Sequence, residues 1–221
     1  MIVNRRKRTL PKLVHFYRDY LLDESGANFV RSVAGVYNIA SLRQLASRGS
    51  PVIRRAAVLA LGMIGDMDVN DALGEALRDD DRGVRLLADQ WIRDIWLRGG
   101  SSAQQQKLRV AQRHNQNFQF AQAWQACTDL IAEDSSWAEA YHQRAIASAC
   151  AGEVDAAADD CRMALELNPY HFAAAAALGQ AMIESDEHDM ALQYFEWALQ
   201  LNPSLEGVRA RVQQLQRQLG R

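Results

Sequence analysis

The chain has little of what a secreted or membrane protein needs. Its 221 residues contain three cysteines, Cys127, Cys150 and Cys161, too few and too odd in number for a disulfide framework. Nowhere do about 18 apolar residues run together, so no helical membrane span is expected. The stretch after the basic cluster Arg5, Arg6, Lys7 and Arg8 is broken by Pro11, Lys12, His15, Arg18 and Asp19, which excludes the apolar core of a signal peptide. A net charge of −2 gives no global pull toward nucleic acid. Only four prolines occur, and alanine and leucine outweigh clustered valine and isoleucine, which favours helix over sheet. Phosphate loop, dinucleotide-binding glycine pattern, HExxH, CxxC and nucleophile elbow are all missing. The expectation is an all-α, cytoplasmic protein without catalytic chemistry, cofactor or metal.

What is present is repetition. The segment LELNP ending at Pro169 returns as LQLNP ending at Pro203, 34 residues later. Within the last unit Leu178-Gly179, Met182, Ala191, Phe195 and Ala198 alternate small and large residues at helical spacing. The preceding unit carries Tyr141, Gly152, Ala157 and Ala164, with Arg144-Ala145 in place of Leu-Gly and Cys161 in place of an aromatic. A further unit, about 104–135, keeps Phe120, Ala123, Cys127, Leu130 and Ile131. Small residues let two helix axes approach, and a large residue opposite fills the remaining space. Upstream, Ile53-Arg54 with Ala56-Ala57 returns as Val84-Arg85 with Leu87-Ala88, 31 residues on.

The first set resembles tetratricopeptide (TPR) repeats over about 104–203, and the second resembles HEAT repeats over about 38–97. The resemblance implies an α-solenoid of antiparallel helix pairs. The expected order is a basic N-terminus with a capping helix (1–37), two HEAT-like pairs (38–98), a Gly/Ser break (99–103), three TPR-like pairs (104–203), and a capping helix (204–221). That last helix follows from Leu205, Val208, Val212, Leu215 and Leu219, which share one face. Two HEAT pairs are fewer than a stable stack needs, so they are expected to pack on the TPR stack, with Trp91 and Trp96 at the junction. An acidic turn at Asp79 to Asp81 is expected to pair with arginines of a neighbouring HEAT unit.

The family's groove positions carry over as Leu108, Gln112 and Asn115, then Glu139, His142, Gln143 and Ile146, then Ala173, Ala176, Ala177, Gln180 and Ile183. The subgroup that clamps a partner's C-terminal carboxylate uses cations at places held here by Leu108, Gln112, Gln143, Ala173 and Ala177. That clamp is absent, and small alanines beside amides suit an apolar helix or extended peptide. The expected function is a scaffold or adaptor that binds a protein segment in this groove, with homo-oligomerisation left open. One alternative is a polyanion contact, RNA or acidic membrane, through Arg5, Arg6, Lys7 and Arg8 with Arg54, Arg55 and Arg85. Another is an enzyme accessory of HEAT type. Asp186, Glu187, His188 and Asp189 are read as a polar turn, His114, His142 and His171 as lacking a carboxylate or cysteine partner, and the cysteines as packing residues.

Overall fold

The computed structural model describes residues 11–220, and the basic cluster Arg5 to Arg8 lies outside them. Among the described residues the chain is entirely helical, with thirteen α-helices, one short 3-10 turn and no strand. It divides into two compact units, Met1–Trp91 and Ile92–Arg221.

The first unit holds α1 (Lys12–Asp23), α2 (Gly26–Ala34), α3 (Ile39–Arg48), α4 (Pro51–Ile64), α5 (Asn70–Ala76) and most of α6 (Arg82–Trp96). Upstream of residue 38 there are therefore two helices, not one capping helix. Phe29 and Val33, four residues apart on α2, are both buried, and the Phe29 ring meets Tyr20 of α1 at 5.4 Å. This adds a helix pair to the two read as HEAT-like and supplies the third layer that such a stack needs. Asn38 caps α3 by accepting from the Ser41 amide at 2.8 Å, and Pro51 opens α4, where a missing N–H costs nothing. Helix α4 buries every residue from Ala56 to Gly62, and α1, α2, α3 and α5 all pack on it. At Gly62 a β-carbon would stand 2.2 Å from Cγ of Trp91, so only glycine lets α4 and α6 approach this closely.

The acidic turn engages arginines of the preceding pair as the HEAT resemblance implies. Arg54 forms a fork to Asp79 at 2.6 and 2.7 Å, and Arg55 a second fork to Asp81 at 2.7 and 2.6 Å. Burial pushes the Asp79 carboxyl up, but the bonds from Arg54 and the Asp81 amide outweigh it and hold the group below its usual range. Asp81 is lowered to about 2, chiefly by the bond from Arg55.

The second unit begins at Ile92, inside α6, and not at the Gly/Ser break. The physical reason is that Leu97 packs on the buried cluster of Leu108, Leu130, Trp137 and Ala140, while the Trp96 carbonyl accepts from Trp137 Nε1 at 2.8 Å. Trp91 and Trp96 thus fall in different units. Ser101 within the break is the N-cap of α7, with Gln104 answering in a capping box. Three antiparallel pairs follow: α7 (Ser102–Gln116) with α8 (Phe120–Glu133), α9 (Ala138–Cys150) with α10 (Val154–Leu167), and α11 (Phe172–Glu184) with α12 (His188–Leu201). Helix α13 (Glu206–Gln218) closes the stack, burying Val212 and Leu215. Each pair turns through one residue of positive φ: Phe118 at 60°, Gly152 at 84° and Asp186 at 61°. These three positions are spaced by the 34-residue period.

Candidate functional site

Helices α7, α9 and α11 carry the positions that the resemblance assigns to a groove. Gln112, Asn115, His142, Ile146, Ala173, Ala176, Ala177, Gln180 and Ile183 are each partly open to solvent. Three of the twelve are not. Leu108 is 0% exposed and belongs to the core cluster with Leu130, Trp137 and Ala140, while Glu139 and Gln143 are 5% and 6% exposed.

A chain of hydrogen bonds explains how Glu139 and Gln143 are accommodated inside. Asn115 Nδ2 donates to the Gln143 carbonyl at 2.9 Å and to its Oε1 at 3.0 Å. Gln143 Nε2 in turn donates to Glu139 Oε1 at 2.7 Å. The second oxygen, Glu139 Oε2, lies 3.0 Å from His171 Nε2, and His142 Nδ1 lies 3.4 Å from Oε1. His171 precedes α11 and caps it, Nδ1 accepting from the Ala174 amide at 3.1 Å. Because Nδ1 accepts, the hydrogen of the neutral ring sits on Nε2 and is donated to Glu139. Burial holds His171 below its usual pKa although the bond to Glu139 opposes it. Burial alone would raise Glu139, but the charge and hydrogen bond of His142 and the bond from His171 hold it below the usual carboxylate range.

This cluster corrects the sequence reading, in which His142 and His171 had no carboxylate partner. Among the described residues, Glu139, His142 and His171 are the group with metal-ligand spacing. The Glu-x-x-His spacing of α9 was visible; the third member, 29 residues beyond His142, was not. Trp96 lies against one member of the cluster: its ring stacks on His171 at 4.2 Å and 18° and meets Phe172 at 5.1 Å. The Arg93 guanidinium lies 4.5 Å over the Phe172 ring.

Elsewhere the candidate residues behave as packing and turn chemistry dictate. Asp186, Glu187 and Asp189 are exposed around the α11–α12 turn, and His188 Nδ1 stands 3.3 Å from Asp186 Oδ1. Burial pushes the Cys127 and Cys161 thiols up to about 12, which leaves them unreactive. The arginines of the polyanion alternative are engaged internally: Arg54 and Arg55 with Asp79 and Asp81, and Arg85 with the Asp79 and Asp80 carbonyls at 2.7 and 3.0 Å. No described helix is long and apolar enough to cross a membrane.

Comparison with known proteins agrees with both repeat types. The HEAT repeats family matches residues 29–93, starting within α2, the helix that the sequence reading did not separate from the capping helix. No curated protein matches the chain in sequence. Among solved structures, the first TPR domain of Spaghetti (RPAP3), bound to an HSP90 peptide, is 18% identical with a TM-score of 0.53, covering 55% of this chain and 97% of that domain. The Sgt2 TPR domain from Aspergillus fumigatus is 15% identical with a TM-score of 0.52, covering 54% of this chain and 81% of that one. Residues 29–93 are thus similar to HEAT repeats, and the helix pairs of the second unit have the fold of TPR domains, in a chain that is all-α among its described residues.

Proposed function

We propose that this chain is a non-enzymatic protein-interaction adaptor, holding a partner segment in the groove of its second unit. The observation that carries this reading is the face of α11 that the resemblance assigns to the groove. Ala173, Ala176, Ala177, Gln180 and Ile183 are all partly exposed there, a strip of small side chains edged by an amide and an aliphatic. Such a strip lets a backbone approach closely, and its amide can pair with the incoming chain. The solved structure of a domain of this fold with a bound peptide supports the same use of the fold. None of the carboxylate-clamp places on α7, α9 and α11 holds a lysine or arginine, so the partner segment is an apolar helix or extended stretch rather than an acidic tail.

The test is a comparison of partner capture from native extract by the wild-type chain and by an Ala177→Glu, Gln180→Lys variant. Both substituted positions are partly exposed, so the fold is expected to persist. A protein retained by the first and lost by the second, with its minimal segment then titrated directly, supports the groove. Identical capture by both variants rejects it.

A further inference from the structure

Glu139 and His142 stand one turn apart on α9, and a Glu-x-x-His pair directs a carboxylate and an imidazole to a common point beside a helix. His171, from the start of the next pair, comes to the same point, so that one donor atom from each residue lies within 4.8 Å of the other two. The carboxylate-to-imidazole separations are 3.4 Å to His142 and 3.0 Å to His171. Two atoms each ~2.0–2.1 Å from one tetrahedral ion sit about 3.3 Å apart. The two separations run to different oxygens, Oε1 toward His142 and Oε2 toward His171, so closing all three donors on one ion requires the carboxylate to turn and the donor atoms to draw together from within 4.8 Å, a movement of side chains alone.

We propose that Glu139, His142 and His171 bind one divalent first-row transition-metal ion. Two imidazoles and one carboxylate suit zinc or iron(II), not the all-oxygen shells of calcium and magnesium. Gln143 Nε2 holds one carboxylate oxygen at 2.7 Å, the kind of outer partner that orients a ligand. His142, with its side chain 12% exposed, is the ligand nearest solvent. Binding at His171 Nε2 moves the ring hydrogen to Nδ1, a change of tautomer with no net proton release. The Ala174 amide then loses its acceptor, so ion binding has a local signature at the first turn of α11.

The experiment is a zinc titration by calorimetry of the full chain carrying Cys150→Ser, since that exposed thiol is a competing ligand. It is repeated on Glu139→Gln, His142→Ala and His171→Asn in the same background, and on a control lacking His15, His114 and His188. Asparagine keeps an oxygen to cap α11 while removing the imidazole, so His171→Asn separates loss of a ligand from loss of fold. The expected result is one equivalent of zinc, weakened about 100-fold or more by each cluster substitution and unchanged in the control. Zinc is also expected to shift the Ala174 amide resonance and to raise the melting temperature of the parent but not of His171→Asn. Absence of stoichiometric binding, or binding lost only in the surface-histidine control, overturns the proposal. A folded His171→Asn chain that binds zinc as the parent does overturns it equally.

Discussion

At the residue scale, the three turn positions of the second unit show how one backbone demand is met in three ways. Positive φ is easy for Gly152, tolerable for Asp186 and unfavourable for Phe118, whose side chain is nevertheless 80% exposed and gains only an edge contact with Phe120 at 6.1 Å. Replacing Phe118 by Asn, which accepts the left-handed region, is expected to raise stability by about 0.5–1 kcal/mol in urea unfolding. A neutral or negative change would show that the ring contributes more than its exposure suggests. The opposite case is Gly179, where a β-carbon would lie 2.8 Å from the Phe195 ring. Gly179→Ala is expected to cost about 1–3 kcal/mol by overpacking, read as a lower unfolding midpoint at unchanged slope.

At the element scale, the departure at Arg144-Ala145 from the family's Leu-Gly acquires a reason. Arg144 on α9 forks onto Asp160 of α10 at 2.8 and 2.7 Å and reaches Thr128 Oγ1 of α8 at 3.3 Å, tying three helices together. The Asp160 side chain is 10% exposed, so Arg144→Ala leaves a carboxylate inside without its partner and is expected to cost about 3 kcal/mol. Adding Asp160→Ala should recover part of that loss, which a double-mutant cycle measures. In the first unit the forks from Arg54 and Arg55 make stability depend on pH. The Asp81 carboxyl falls from 3.8 to about 2 on folding, so its contribution is complete above 3.8 and disappears as the pH falls through about 2. Arg55 is 37% exposed, and solvent screening reduces the effect to about 1 kcal/mol. Asp81→Asn should flatten that acid limb in denaturation midpoints compared at about pH 5 and pH 2. A variant that keeps the full acid dependence would assign it to other carboxylates.

At the scale of the whole molecule, what could be read from the sequence was what repeats. The proline-ended period, the small–large alternation around Gly179 and Phe195, and the apolar face of α13 all reflect packing between neighbours in the chain, so they leave a local trace. Helix α2 left a weaker one, because its nine residues bury only Phe29 and Val33. Burial of Glu139 and Gln143 was not legible at all, since their hydrogen-bond partners include His171 from the next pair and Asn115 from the preceding one. The groove positions came from resemblance, and three of them lie inside, Leu108 in the cluster with Leu130, Trp137 and Ala140, and Glu139 and Gln143 bonded to each other and to the neighbouring pairs.

A stack stabilised by nearest neighbours also makes a prediction about where damage is felt. Helix α13 covers the last pair with Val212 and Leu215, 7% and 3% exposed, while its other faces carry Arg209, Arg211 and Gln214. Replacing Leu215 by Asp places a charge against the core formed with Phe195 and Ala198, and is expected to cost about 3 kcal/mol or more. In a linear array the loss should be graded, with hydrogen-exchange protection falling most in α12 and α13, less in α11, and least in α7 and α8. Uniform loss across α7–α13 would mean that the second unit unfolds as one cooperative block, its helix pairs coupled too strongly for any end of the array to open alone.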